Sequence, residues 1–467
     1  MTGGLFQLVV YGVENLILTY NPKITYFKSI FKRYTNFSIE NIELNFTGNI
    51  DFGKQISCTI PKKGDLINKM YIKLILPKIK FDKNNEYIYS WVKYIGLAAI
   101  KSVELNIGGK VIDKHINDWL YIWNELTVSK SKKKGFYKMI GHIPDNYDFN
   151  LHFKVDIAEY ICYIPLSFWF CKDISLSLPI CALKTYDIKI NLDLNILENC
   201  LLQANIVNLN DKEQEIKYQS SISKVLYLDN LDKLKCNLLI DYIFLDKNEK
   251  ELFEKNTHIY CIEQLQYINT NKFMGDFSSI ELNFNHPVKE LFWCFSYIKN
   301  IDINEHFCYE NYEKSNYYVI QKNNLTYEIN TINFYQNNLN STNPISTFNL
   351  YINGEQRFSE QSGDYSSILQ PFYYHINTPN NGINIYSFSL YPENIQPSGS
   401  FNCSKIDEII IENKLKTFYY FDNENNSNEI FENNKIIESG NGIIKIFALN
   451  YNIFKIKDGI GGFVYNN

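Results

Sequence analysis

Residues 396–407 read QPSGSFNCSKID and bring Ser398, Cys403, Ser404 and Lys405 close together. Each of these four side chains ends in a nucleophilic atom. Acyl transfer from a serine or cysteine needs an adjacent base to take the proton, and a third group to orient that base. No such base lies beside them in sequence, although a distant one stays open. Pro397 and Gly399 read as turn chemistry, and Asp407 leads into the alternating run IDEIIIE. The stretch reads as a connection between strands.

The seven histidines, His115, His142, His152, His258, His286, His306 and His375, form neither HxH nor HExxH. Cupin-type and zincin-type metal sites therefore lack their ligands. His286 precedes Pro287 between apolar runs and suits a structural hydrogen bond. The GIGG at 459–462 has no following helix and no P-loop lysine, and no GxSxG occurs. The expectation is no catalytic, cofactor-binding or metal-binding residue, no cofactor, and a protein that is not an enzyme.

The elements that carry these residues must be mostly strands. The chain has 467 residues, 45% of them apolar, with 36 Tyr and 32 Phe. Such aromatics favour strands, and a single core stops growing at roughly 250–300 residues, so two β domains are expected. The net charge is −5, whereas nucleic-acid binders usually carry a basic domain, so no direct nucleic-acid partner is expected. The basic run KSKKKGFYK (130–138) reads as a solvated loop. No segment reaches the ~18 apolar residues of a membrane span. The opening residues lack a basic n-region and a cleavage site, so no secretory signal is read there. The ten cysteines, with no CxxC, read as reduced, buried, small hydrophobes, Cys58 among them.

In IDFGKQISCTI (50–60), Ile50, Phe52, Ile56, Cys58 and Ile60 share one parity, the period of a half-buried strand. VELNIGGKVID (103–113) reads as a hairpin turning at Gly108-Gly109. FNLYINGEQRF (348–358) repeats that pattern with Asn353-Gly354 at the turn. The strand–connection–strand run at 163–194 is echoed at 383–413, in the same order, so a β domain is duplicated. The offsets are far longer than solenoid periods. The clearest helix is DKNEKELFEKN (246–256), where Asp246 and Glu249 could form a capping box. The polar stretch 207–221 suits a linker, and 301–347 and 421–435 read as long exposed loops. The expected division is an N-terminal arm (1–22), a first domain (23–206), the linker (207–221) and a second domain (222–467).

Several long blocks, in order, carry a resemblance. The opening has Pro22, Ile24, Thr25, Phe27, Lys28, Thr35, Asn36 and Phe37 in a P-x-I-T-x-F-K…T-N-F pattern. YIPLSFWFCKDISLSLPICAL (163–183), LNFNHPVKELFW (282–293), the block from Asn353 to Asp407 and the tail ALNYNIFKIKDGIGGFVYNN (448–467) follow. Together they resemble the major capsid proteins of the nucleocytoplasmic large DNA viruses, along nearly the whole chain. Ser175 and Ser177 stand where that family usually has Gly and Ala. The resemblance implies an all-β fold of two tandem eight-stranded antiparallel jelly rolls with few short helices. It implies a homotrimer that forms a pseudo-hexagonal capsomer, capsomers that tile an icosahedral shell, and a virion protein assembled in the host cytoplasm. Its partners would be itself, neighbouring capsomers, minor capsid proteins and, through the arm, the internal membrane side. Two alternatives stay open: a minor or paralogous capsid protein of the same fold, and a carbohydrate-binding jelly-roll attachment protein that takes host glycans on the Tyr- and Asn-rich 301–347.

Overall fold

The structure is a computed structural model that describes residues 2–79, 87–141, 158–210, 213–218, 231–272, 274–302, 304–310, 317–323, 326–330, 343–379, 382–416, 420–421, 434–435 and 441–465. Contacts divide the chain into two units, up to Phe37 and from Ser38 onward. The first unit holds two short helices, α1 (Gly3–Val9) and α2 (Val13–Thr19), which bury no side chain.

Eight strands build the first roll: β1 (Phe37–Asn45), β2 (Gln55–Ile60), β3 (Leu66–Leu76), β4 (Ile100–Ile107), β5 (Lys110–Ile116), β6 (Tyr160–Pro165), β7 (Ile188–Leu194) and β8 (Lys235–Leu245). They form two sheets, in the orders β1-β8-β3-β6 and β2-β7-β4-β5. Eight more follow: β9 (His258–Asn269), β10 (Phe277–Glu281), β11 (Pro287–Tyr297), β12 (Ile345–Ile352), β13 (Glu355–Gln356), β14 (Ile383–Ser387), β15 (Ile409–Leu415) and β16 (Gly442–Lys457). Their sheets run β9-β16-β11-β14 and β10-β15-β12-β13, the same order again. Each set is a jelly roll, and the described registers within both are antiparallel.

Alternation builds the cores. Ile188, Ile190, Leu192 and Leu194 of β7 are buried, as are Met70, Ile72, Leu74 and Leu76 of β3 and Cys236, Leu238, Ile240 and Tyr242 of β8. Both hairpin turns form as expected. Gly108 and Gly109 have φ of +61° and +84°, and Asn353 and Gly354 have +50° and +78°. Positive φ at both central positions matches the twist of the flanking strands. Cys58 is buried on its strand.

Several expectations change. The strand read from residue 50 starts only at Gln55, because Gly53 turns the chain at φ +69°; Phe52 still packs, stacked on Trp91 with ring centroids 6.0 Å apart. The division between the rolls does not fall in 207–221. β8 pairs with β3 from Lys235 against Ile75 to Ile243 against Leu66, so the first roll extends to Leu245. Residues 207–210 and 213–218 are themselves strand: Leu201–Asn210 pairs with Tyr87–Trp91 and with Glu213–Tyr218. That strand continues onto Tyr317–Asn323 and Thr326–Asn330, so one five-stranded sheet joins connections from both rolls. The tract 301–347 is therefore not loop throughout, and it buries Phe307, Tyr309 and Ile345; its residues 303, 311–316, 324–325 and 331–342 lie outside the described residues. In 421–435, Tyr420–Phe421 pairs with Asn434–Lys435, and 422–433 lie outside the described residues.

The basic run expected as a loop is a helix, α4 (Lys130–Met139), following α3 (Asn117–Thr127). Lysine tolerates helix interiors well, and this helix is held from one side, where Phe136 is buried and Tyr137 donates to Glu125 Oε1 at 2.9 Å. The expected helix near 246–256 is α5 (Lys247–Lys255), with Asp246 as N-cap residue. No capping bond forms from its side chain; the Asp246 carbonyl accepts from Lys250 N at 2.9 Å.

Candidate functional site

The stretch 396–407 serves as a brace in the second roll. Phe401–Asn402 pairs with Pro287–Val288 at the start of β11. Ser398 Oγ accepts from Tyr391 N at 2.8 Å and shares a hydrogen bond with Ser389 Oγ at 2.6 Å. Gly399 has φ +139°, and a Cβ there would meet Phe388 O at 2.6 Å. Ser404 Oγ accepts from His286 N at 2.7 Å. Cys403 is buried, and burial pushes its thiol up to about 12, the opposite of an activated nucleophile. Asn353 Oδ1, at the second hairpin turn, accepts from Asp407 N and Glu408 N. Among the described residues, none of these contacts supplies a general base.

The described histidines are dispersed, each tied into structure; His142 and His152 lie outside the described residues. His258 Nε2 pairs with Phe253 O and His306 Nε2 with Asn199 O, both at 2.7 Å. Burial lowers the pKa of His286 and His306. His286 holds φ +63° at the entry to β11. His115 pairs with Asp113 at 2.9 Å and stacks on Phe168. His375 stands between Glu290 at 2.8 Å and Glu393 at 2.9 Å. No group of three or more His, Cys, Asp or Glu side chains is placed to hold a metal ion among the described residues.

The structure instead concentrates its chemistry at the seam between the rolls. Helix α3 leaves β5 of the first roll and is buried from Asp118 to Leu126. Trp119 meets Phe292 of β11 edge-on at 5.0 Å and Phe447 of β16 at 6.0 Å. Asp118 Oδ1 accepts from Lys445 Nζ and from Tyr309 Oη, both at 2.6 Å. Leu265 N donates to Asp113 Oδ1 at 3.1 Å, and Gln264 Nε2 to Ile112 O at 2.6 Å. One apolar core is continuous from the first roll through this seam, taking in Ile262, Phe292, Phe447 and Phe454, whereas the interior of the second roll forms a separate cluster around Trp293, Phe348 and Ile446.

Charges are buried here in pairs, as burial requires. Glu263 of β9 lies between Lys172 of the first roll and Lys289 of β11. Burial would raise its pKa, but the two ammonium groups outweigh that and hold it at about 2. Burial lowers the pKa of Lys289, which also donates to Pro392 O at 2.6 Å. For His375, burial would lower the pKa; the carboxylates of Glu290 and Glu393 prevail and raise it to about 9. Lys172 Nζ also lies over the Trp123 ring, 4.1 Å from its centroid. The sequence reading missed this network. Its one local signal is Lys289-Glu290 inside the apolar run VKELFWCF, where an exposed strand would need alternation and a buried one no charge.

Two family models together cover most of the chain: a major capsid protein N-terminus over residues 25–246, and the large eukaryotic DNA virus major capsid protein over 249–462. The major capsid protein of Phaeocystis pouchetii virus is 30% identical, with both chains covered in full. The chain belongs to the family of major capsid proteins of large eukaryotic DNA viruses. That family's double jelly roll is the fold described above, and its role is structural, in the icosahedral capsid of the virion. The major capsid protein of Pyramimonas orientalis virus is 32% identical, again over both full lengths. Among solved structures, the quasi-atomic model of the PBCV-1 virus capsid matches with a TM-score of 0.72 and 26% identity, covering 95% of this chain and all of that one. The junction between the two family models falls at the end of β8, where the strand pairing also ends the first roll.

Proposed function

We propose that three copies of this chain form one capsomer with a pseudo-hexagonal outline, and that these capsomers tile the capsid shell. The observation that carries this reading is the repetition of one strand order in two rolls fused through a continuous core. A tile with six near-equal sides needs six similar modules, and three chains of two rolls supply them in the smallest closed ring. The rolls span β1–β8 and β9–β16, with the arm before them. The arm, with its apolar LFQLVVYGV, is the segment suited to lie beneath the capsomer, against a neighbour, a minor capsid protein or the internal membrane side. The connections between strands, 301–347 first, suit the outer face. Assembly takes place in the host cytoplasm.

The protein works by geometry rather than by catalysis, and no cofactor or metal is assigned to it. The buried, proton-holding Cys403 and the structural hydrogen bond of Ser404 support this. Size-exclusion chromatography with light scattering on the full chain tests the reading. A mass near three times 55.0 kDa is expected, and a stable monomer at micromolar concentration would overturn it. Abundance in purified particles separates the main shell protein from a minor paralogue, because the former dominates a stained gel.

A further inference from the structure

From Tyr365 to Pro392 there is no Asp, Glu, Lys or Arg, in a chain of which 21% is charged. The segment nevertheless does not retreat into the core. Phe372 and Tyr373, in the short helix Gln370–Tyr374, are each 70% exposed, and Ile368, Ile376, Leu390 and Tyr391 are exposed around them. Taken at ~200 Å² for a large apolar residue when fully exposed, these six leave roughly 750 Å² in water. The largest apolar patch on an ordinary monomer is about 300–600 Å², while one side of a standard stable interface is ~800 Å².

Two surface segments make up this patch, and adjacent residues of β11 hold both in place. Lys289 donates to Pro392 O at 2.6 Å. Its neighbour Glu290 pairs with His375, whose other nitrogen meets Glu393 at 2.9 Å. Glu393 Oε1 also accepts from Ile376 N at 2.9 Å, joining the segment around Leu390 and Tyr391 to the segment around Phe372 and Tyr373. Gln370 Oε1 accepts from Ser387 N, and Gln370 Nε2 donates to Tyr365 Oη at 3.0 Å. Ser366 and Ser367 donate to Gly363 O beneath them. An apolar surface held this firmly is preorganised for contact, so little ordering cost remains when a partner arrives.

We propose that this face, centred on Phe372 and Tyr373, is where the second roll meets a neighbouring copy of the same chain within the capsomer. The inference rests on the trimer reading above and names the surface that makes the trimer. A second copy fits best. The patch offers no cation for nucleic acid or anionic lipid, its area matches one side of a stable interface, and interface cores are depleted of charge and enriched in Tyr and Phe. In a threefold ring the contact is heterologous, so the patch meets a different face of its neighbour.

The test uses the full chain and the double variant Phe372→Glu/Tyr373→Glu. Both positions are exposed, so the far-UV circular dichroism spectrum should match the parent, while the melting temperature should fall only as far as the lost association requires. The concentration for half-dissociation of the trimer, read by light scattering on dilution, should rise by at least about 100-fold, as for paired interface anchors. Tyr391→Glu, on the other segment, should weaken the trimer in the same direction. Should the double variant fold poorly, hydroxyl-radical footprinting of the parent gives the answer: Phe372 and Tyr373 should be oxidised several-fold more slowly in the trimer than in dissociated chains. A parent that is itself monomeric removes the trimer reading and this inference with it. A trimeric parent whose variants dissociate at unchanged concentration, or are trimeric and fail only to form larger assemblies or to bind neutral phosphatidylcholine vesicles, overturns the inference alone.

Discussion

Trp119 of the first roll stands edge-on to Phe292 of the second, their ring centroids 5.0 Å apart and both side chains almost wholly buried. An aromatic pair of this geometry contributes beyond its burial. It sits in the only core cluster, of the two among the described residues, that both rolls share. The rolls therefore gain part of their stability from each other.

Trp119→Ala should reduce stability by about 3–5 kcal/mol, the range for emptying a large aromatic site in a core. Urea unfolding followed by circular dichroism checks it. A loss below about 1 kcal/mol would mean that the seam closes over the vacancy and that the rolls do not depend on this contact.

Lys289 and Glu263 supply a second test. Removing one member of a buried pair strands the other, so Lys289→Met should cost about 3 kcal/mol or more. Adding Glu263→Gln to that variant should recover part of the loss, because the carboxylate left facing one ammonium group instead of two is then gone. The same unfolding experiment on the two single variants and the double variant gives the coupling energy.

The two titrating centres respond to pH in opposite senses. His375 has a folded pKa of about 9, above its unfolded value of about 6.5. Its contribution is complete below pH 6.5 and is lost as pH rises through 9, on the order of 3 kcal/mol in all. Glu263 has a folded pKa of about 2, below the 4.5 of a free glutamate, so its contribution is present above pH 4.5 and is lost as pH falls towards 2. Between pH 6.5 and 9.5 the stability difference between parent and His375→Asn should shrink steadily. A constant difference would show that the imidazole carries no extra proton in the folded protein.

Cys403, with its thiol near 12, holds on the order of a thousandfold less thiolate at pH 8 than a free cysteine near 8.5. Iodoacetamide should leave it unmodified in the folded protein and alkylate it rapidly in urea, with peptide mass spectrometry as the readout. Rapid native modification would return the QPSGSFNCSKID stretch to consideration as a reactive site.

Strand content, both hairpin turns and the duplication were legible, because each depends on neighbours in sequence: alternation at 188–194, paired glycines at 108–109, and Asn-Gly at 353–354. The end of the first roll was not. KCNLLIDYIFL alternates like any strand, and nothing local tells whether it belongs with Leu66–Leu76 behind it or with His258–Asn269 ahead. The helix at 130–139 was hidden because the contacts that hold it, Phe136 and the Glu125–Lys133 and Glu125–Tyr137 bonds, come from tertiary packing. The seam was the least legible part. Lys172, Glu263 and Lys289 are distant in sequence, and only the fold makes partners of them.

The position of β8 and β16 has a consequence in time. Each is the last strand of its roll to be synthesised, yet each lies inside its sheet, between the first and third strands. A nascent second roll thus carries an open slot from β9 until residues 442–457 emerge, on the order of 10–40 s at ordinary synthesis rates. Until that slot is filled, strands β9 and β11 have no neighbour between them, and Phe447 has not reached Trp119. A chain that stops before residue 442 lacks the strand between β9 and β11, so its second roll is left unfinished.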